Sequence, residues 1–350
     1  MAFRGRHGFS IAVFLMAAIL LLLFSCGGGN AAALSAAKAP PTYPAQFTAT
    51  PADTGDFAFI IALGSMSPPG HTMPVDHVYF YVVDPDVNPG DLYRTRRLYA
   101  PGAGRVVEIR RGTDDSLTIQ MNSTVSYYMS HLLLDNSIAL GSELTAGQYL
   151  GTFSARVYAF DIGVIDMGTT VPLINPNRFP YTTPHAGKPL TLFTEPVRSA
   201  IYGRVRREGP DRNGRIDYDV PGTASGYWFL QGLTVADSPY SLSGPSQLAL
   251  ARDAQCPANQ AISIGGTLSY PGAYITGLGE ADWTTVTPAS GAVTYTLRWP
   301  PDGPTSQIGA FMRLQLLNEN TLKIETFPQT YPDLMTVAPP FTANAKIYVR

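Results

Sequence analysis

Turn-forming residues cut this chain into short pieces, which restricts it to folds built from short strands. Glycine occurs 33 times and proline 30 times in 350 residues. Proline fixes φ and removes a backbone donor, and glycine favours turns, so neither suits the interior of a long regular element. Between the breaks lie brief runs rich in valine, isoleucine, threonine and tyrosine, which fit a pleated surface. Residues 57–63, 77–83, 97–109, 116–121, 126–133, 142–151 and 157–165 read as strands or strand-turn-strand units. The 116–121 segment alternates polar and apolar with a period of two. Residues 84–90, with Pro85, Pro89 and Gly90, predict a turn. This succession predicts a compact β barrel or sandwich over residues 57–170.

Prolines 172, 176, 180, 184 and 189 predict a loop next. Residues 194–207 predict one helix. Thr194 can cap its first turn, Pro196 is tolerated there, and Val197, Ile201 and Val205 recur every four residues. Arg204, Arg206 and Arg207 suit the negative helix end, and Gly209 stops it. A second β-rich part follows over 210–350. It contains an aromatic strand at 226–229, a hairpin turning at 318–320, and a final strand at 343–349. The expected fold is mainly β, in two parts joined by the 171–209 loop and helix.

The N-terminus has the three zones of an export signal. Arg4, Arg6 and His7 are basic, residues 11–24 are apolar, and small residues begin at Ser25. The apolar zone is shorter than a comfortable membrane span. Leu23-Phe24-Ser25-Cys26 resembles a bacterial lipobox. The resemblance implies removal of residues 1–25 and attachment of diacylglycerol to the Cys26 thiol, which anchors the chain to a membrane. Gly27 after the cysteine implies, in a Gram-negative source, the outer membrane, with the body facing the periplasm. Residues 26–56 are rich in small residues and nearly uncharged, and they predict a flexible tether. With Cys26 lipidated, Cys256 has no intrachain partner, so no disulfide is expected and Cys256 reads as a small buried apolar group. Charged residues make up only 14% and the net charge is −2. A chain with no basic field does not attract nucleic acid.

Three ordered signposts lie between residues 71 and 166. They are Tyr99-Ala-Pro-Gly-Ala-Gly-Arg-Val-Val107, Tyr128-Met-Ser-His-Leu132 and Leu144-Thr-Ala-Gly-Gln-Tyr-Leu-Gly151. In order and spacing they resemble lysostaphin-type zinc endopeptidases, the peptidoglycan hydrolases built on a duplicated hybrid motif. That family takes two zinc ligands from a His-x-x-x-Asp strand and a third from a His-x-His strand. His77 falls at the first ligand position, but Tyr81 stands where the aspartate belongs. Ala159 and Asp161 fall where the two histidines belong. His131 matches a histidine that assists the bound water.

A catalytic zinc needs about three protein ligands and an open position. The resemblance supplies His77 and Asp161, and His71 or Asp76 is near enough in sequence to complete a rebuilt set. Without the metal, the water nucleophile is lost. The leading expectation is therefore a non-catalytic envelope protein, with no cofactor, that binds peptidoglycan or an envelope partner through a degenerate endopeptidase-like groove. The alternative is a divergent zinc-dependent endopeptidase using His77, Asp161 and His131. Asp161 lies on an apolar strand, and a buried carboxylate needs a partner, for which His131 is the candidate. His185, in the proline-rich loop, reads as solvent-exposed.

Other chemistry is thinly represented. There is no Gly-x-Ser-x-Gly elbow, phosphate-binding loop or dinucleotide fingerprint. Gly102-Ala-Gly104 lacks the lysine of a carrier domain. Residues 211–217 have some calcium-loop residues but read as a β-turn. Gly226-Tyr-Trp-Phe229 resembles the Gly-x-Trp of lipocalin-like barrels. This leaves a third possibility, an apolar-ligand cavity walled by Trp228 and Phe229, beside the simpler reading of Trp228 as core.

Overall fold

The computed structural model describes residues 38–84, 95–154, 156–233, 244, 246–299, 308–328 and 339–350. The export signal, Cys26 and the 85–90 turn lie outside these residues. Nine strands form the first sheet: β1 (Phe59–Ile61), β2 (His77–Tyr81), β3 (Arg97–Tyr99), β4 (Gly104–Arg110), β5 (Asp115–Gln120), β6 (Val125–Leu134), β7 (Glu143–Leu144), β8 (Tyr149–Phe153) and β9 (Ala159–Asp166). Their order is β1-β2-β9-β6-β5-β4-β7, and β8 joins β3 to β6. Among the described residues this sheet is not closed on itself, and the closed barrel lies in the C-terminal part.

Strand periodicity divides the sheet into a core face and a polar face. Val78 and Phe80, Phe160 and Ile162, Tyr127 and Met129, and Leu117 and Ile119 are buried on one side. His77, Asp161, Tyr128, Ser130, Ser116 and Thr118 alternate with them, as the pairings His77↔Gly163, Ser130↔Asp161 and Ser116↔Ser130 require.

The expected tether is shorter than residues 26–56. Phe47 is fully buried, edge-to-face with Tyr127 and Phe193, and its amide donates to the Leu192 carbonyl at 2.7 Å. Ala52 is buried against Leu98. Small uncharged residues here fill a seam rather than span a gap.

The helix is also shorter than predicted. Only α1 (Val197–Tyr202) forms, and Thr194 bonds the Phe47 carbonyl instead of capping it. Residues 204–206 extend along β1: Ile60 N–H donates to the Arg204 carbonyl, and Arg206 N–H donates to the Ile60 carbonyl. Covering an edge strand satisfies backbone groups that water would otherwise have to meet, and this outweighs four-residue periodicity. The 211–217 segment is a turn, with Asn213 N–H on Asp211 Oδ1 and an Arg215–Asp217 ion pair. Cys256 is only half-buried, in a turn whose amides bond Asp253, and is not the buried group expected.

The second part is a closed antiparallel barrel of β10 (Gly226–Leu230), β11 (Gln247–Arg252), β12 (Gln260–Ile264), β13 (Gly272–Thr276), β14 (Ala292–Arg298), β15 (Ile308–Asn318), β16 (Thr321–Pro328) and β17 (Lys346–Val349). The predicted hairpin is β15–β16, where Asn318 Oδ1 accepts from Asn320 N–H. Trp228, Leu248, Leu250, Trp283, Tyr295 and Tyr348 fill the interior. Tyr227 and Phe229 point outward and meet Phe179 edge-to-face, so the core of the sheet continues onto the barrel wall. Trp228 and Phe229 therefore face opposite sides of β10 and cannot wall one cavity together.

Candidate functional site

The polar face of the sheet gathers its ionisable groups where β2, β9 and β6 lie side by side. Asp161 on β9 sits between them. Its Oδ2 is 3.2 Å from His131 Nε2 and 3.7 Å from His77 Nε2. Each imidazole is backed by a second carboxylate. His131 Nδ1 donates to Asp114 Oδ2 at 2.6 Å, and His77 Nδ1 to Asp76 Oδ1 at 3.2 Å. Asp76 also accepts from Tyr128 Oη at 3.0 Å and from Thr183 Oγ1 at 2.7 Å. His71 packs near His77, with ring centroids 5.5 Å apart.

His131 reaches this cluster through a backbone irregularity. Along β6 the core positions are Val125, Tyr127 and Met129, then Leu132 and Leu134. The parity changes because the β5–β6 register shifts between Asp115 and Ser116. The bulge turns both Ser130 and His131 to the polar face. His131 adopts φ 69°, a left-handed conformation that costs a β-region residue on the order of 1–3 kcal/mol. The contacts to Asp114 and Asp161 offset that cost.

Gly163 makes room for Tyr128. A Cβ at Gly163 would lie 2.1 Å from the Tyr128 ring, which crosses β9 to reach Asp76. A Gly163→Val substitution is expected to displace Tyr128 and destabilise the fold by about 1–3 kcal/mol through overpacking. The midpoint of urea unfolding measures this; an unchanged midpoint would show that Tyr128 is not held there.

The charges are mutually compensating. Burial disfavours the His131 cation, but Asp161 and Asp114 more than reverse this and raise the group to about 9. Burial also opposes the His77 cation, and Asp161 and Asp76 again prevail, so its pKa is raised. Asp76 is pushed up by burial and brought below the usual carboxylate range by hydrogen bonds from His77, Thr183 and Tyr128. Burial and the neighbouring His77 keep His71 low.

The zinc ligand positions implied by the resemblance can be tested against this geometry. His77 and Asp161 are adjacent, and carboxylates behind the imidazoles are the usual support for metal-bound histidine. His77 Nε2, His71 Nδ1 and Asp161 Oδ1 are buried without a hydrogen-bond partner. A third donor does not converge: among the described residues, no three His, Cys, Asp or Glu side chains are placed to share an ion. Tyr81 pairs with Ala159 across the strands and stacks on Phe59, with centroids 4.5 Å apart. Tyr81 and Ala159, at the ligand and water-assisting positions that the resemblance implies, thus offer an aromatic contact and a methyl group. The residues present do not fit a three-ligand catalytic zinc.

No protein-family model matches the chain, and no curated protein matches it. Among solved structures, the catalytic domain of lysostaphin from Staphylococcus simulans is similar at 13% identity, with a TM-score of 0.27, covering 39% of this chain and 92% of that one. Csd3 from Helicobacter pylori is similar at 16% identity and a TM-score of 0.25, covering 35% of this chain and 30% of that one. A zinc containing peptidase from Vibrio cholerae is similar at 14% identity and a TM-score of 0.24, covering 37% and 38%. The chain thus spans about a third of the length of Csd3 and of the Vibrio peptidase.

A groove of about 840 Å³ opens beside the cluster, not over it. Its floor is the polar face of β4, β5 and β6, including Ser116, Thr118, Tyr128 and Ser130. Its far wall is the proline-rich segment, with Phe179, Pro180 and Tyr181. Thr183, in a short 3-10 turn, ties that wall to Asp76. His185 is half-buried, with Nδ1 donating to the Thr169 carbonyl at 2.8 Å, and is not the free surface histidine expected. Sequence reasoning missed Asp114 and Thr183. Asp114 had a signal: the apolar residues of 125–134 change parity at His131, which announces a bulge and an outward imidazole in need of a partner.

Proposed function

We propose that this chain is an envelope lipoprotein, anchored through lipid on Cys26 at the outer membrane and facing the periplasm, whose sheet is a non-catalytic peptidoglycan-binding module. The observation that carries this reading is the engagement of Asp161. At the position implied for a zinc ligand, its carboxylate meets two imidazoles at 3.2 and 3.7 Å. Both ring nitrogens of His131 face carboxylates, Nε2 on Asp161 and Nδ1 on Asp114, which leaves neither for a metal. The network keeps the wall of the groove in place through Thr183, so the old chemical centre serves as a scaffold for the groove. The ordered signposts of residues 99–151 support a peptidoglycan ligand, as does the groove on the same face of the sheet. Among the described residues, no phosphate cradle or basic field supports a nucleotide or nucleic-acid ligand.

Co-sedimentation tests the reading. The lipidated mature chain in a sugar-free detergent is expected to pellet with purified sacculi and to stay in solution without them. A chain that remains in the supernatant at every sacculus concentration would refute it.

A further inference from the structure

Resting on the peptidoglycan reading above, we infer that the groove takes the glycan strand, a neutral chain of N-acetylated hexosamines, and not the charged stem peptide. Among the described residues of the lining, only Glu108 and Arg110 carry formal charge, and they neutralise each other. Arg110 Nε and a terminal guanidinium nitrogen both lie 2.9 Å from Glu108 Oε1. The other Glu108 oxygen accepts from Thr118 Oγ1 at 3.3 Å. A stem peptide carries carboxylates and amines, and transferring them into a cleft without opposing charge is costly.

The floor offers a different chemistry. Ser116 lies directly opposite Ser130, and Thr118 opposite Tyr128, on neighbouring strands. Strand spacing sets such pairs about 4.8 Å apart across the sheet, and alternate residues repeat about 6.8 Å along it. Thr118 and Tyr128 spend their protons on Glu108 and Asp76, so the Ser116 and Ser130 hydroxyls supply the neutral groups that both donate and accept, with the Thr118 oxygen beside them as an acceptor, the complement of a polyhydroxylated chain. The opposite wall presents Tyr181, 77% exposed, a large ring held out of the core. An aromatic face suits the C–H face of a sugar ring, and its hydroxyl remains available for hydrogen bonding. The volume of the groove, about 840 Å³, admits a short oligosaccharide.

The test is calorimetric titration of the full-length chain, in a sugar-free detergent, with the tetramer of N-acetylglucosamine and separately with a free stem pentapeptide. The saccharide is expected to bind and the peptide not to. Saccharide affinity is expected to be unchanged between low and high salt, because no net charge is engaged. Tyr181→Ala, an exposed position, is expected to weaken saccharide binding roughly three- to tenfold. Peptide binding without saccharide binding overturns the inference, as does unchanged saccharide affinity in Tyr181→Ala. Sacculus co-sedimentation on the same preparation separates the two levels. Sacculi bound without saccharide overturns only this inference, whereas loss of both also overturns the reading beneath it.

Discussion

Trp228→Ala is expected to lower stability by about 3–5 kcal/mol, on the order of 10 °C in melting temperature. Trp228 is fully buried in the barrel, and its Nε1 donates to the Ala224 carbonyl at 2.9 Å. The Arg350 guanidinium lies 4.2 Å over its ring. Arg350 in turn donates to the Ser225 carbonyl at 2.8 Å and to the Thr223 carbonyl, and it faces Asp219 at 3.7 Å. Arg350 thus ties the end of β17 to the loop that leads into β10. Removing the indole opens a void and takes away the surface on which a buried cation rests. Thermal unfolding followed by far-ultraviolet dichroism measures the loss. Trp228→Phe should recover part of it. A melting temperature unchanged in the alanine variant would show that the barrel end is closed by other contacts.

Asp161→Ala should also be costly, about 1.5–3 kcal/mol, because it removes the carboxylate shared by the buried His77 and the half-buried His131 and leaves each with only its backing aspartate. Its pH dependence identifies the cause. His131 is raised in the fold to about 9, from an unfolded value near 6.5. The stability this confers is fully present below the unfolded value and is lost as pH rises through the folded one. Wild-type stability should therefore fall between about pH 6.5 and pH 9. In Asp161→Ala that decline should flatten, and the histidine resonances should titrate at lower pH. An identical pH slope in wild type and Asp161→Ala would contradict the pairing.

Much of the sheet was legible because its strands obey a simple period. Residues 77–83, 116–121, 126–133 and 157–165 each contain a strand, and the 318–320 turn joins a hairpin. The sequence was less informative where tertiary contacts compete with local preference. Residues 204–207 look helical by spacing, but they cover the edge of β1. Residues 41–52 look like a linker by composition, but Phe47 anchors them in the core. Within the site, the resemblance named His77, His131 and Asp161, and the fold brings all three together. The carboxylates behind them were hidden for different reasons. Asp76 was weighed only as a ligand, although it bonds Tyr128 and Thr183, 52 and 107 residues away. Asp114 depends on a bulge that shifts register by one residue. Long-range partners of this kind leave no periodic trace.

The central claim is that the sheet binds peptidoglycan without cutting it. The most direct test is to incubate the full-length chain with purified sacculi and added zinc, then measure soluble fragments and bound zinc together. The account predicts no fragment release and substoichiometric zinc, with neither changed by combining His77→Ala with Asp161→Ala. Stoichiometric zinc and amide cleavage, both abolished in that double variant, would contradict it and make the cluster a rebuilt catalytic centre.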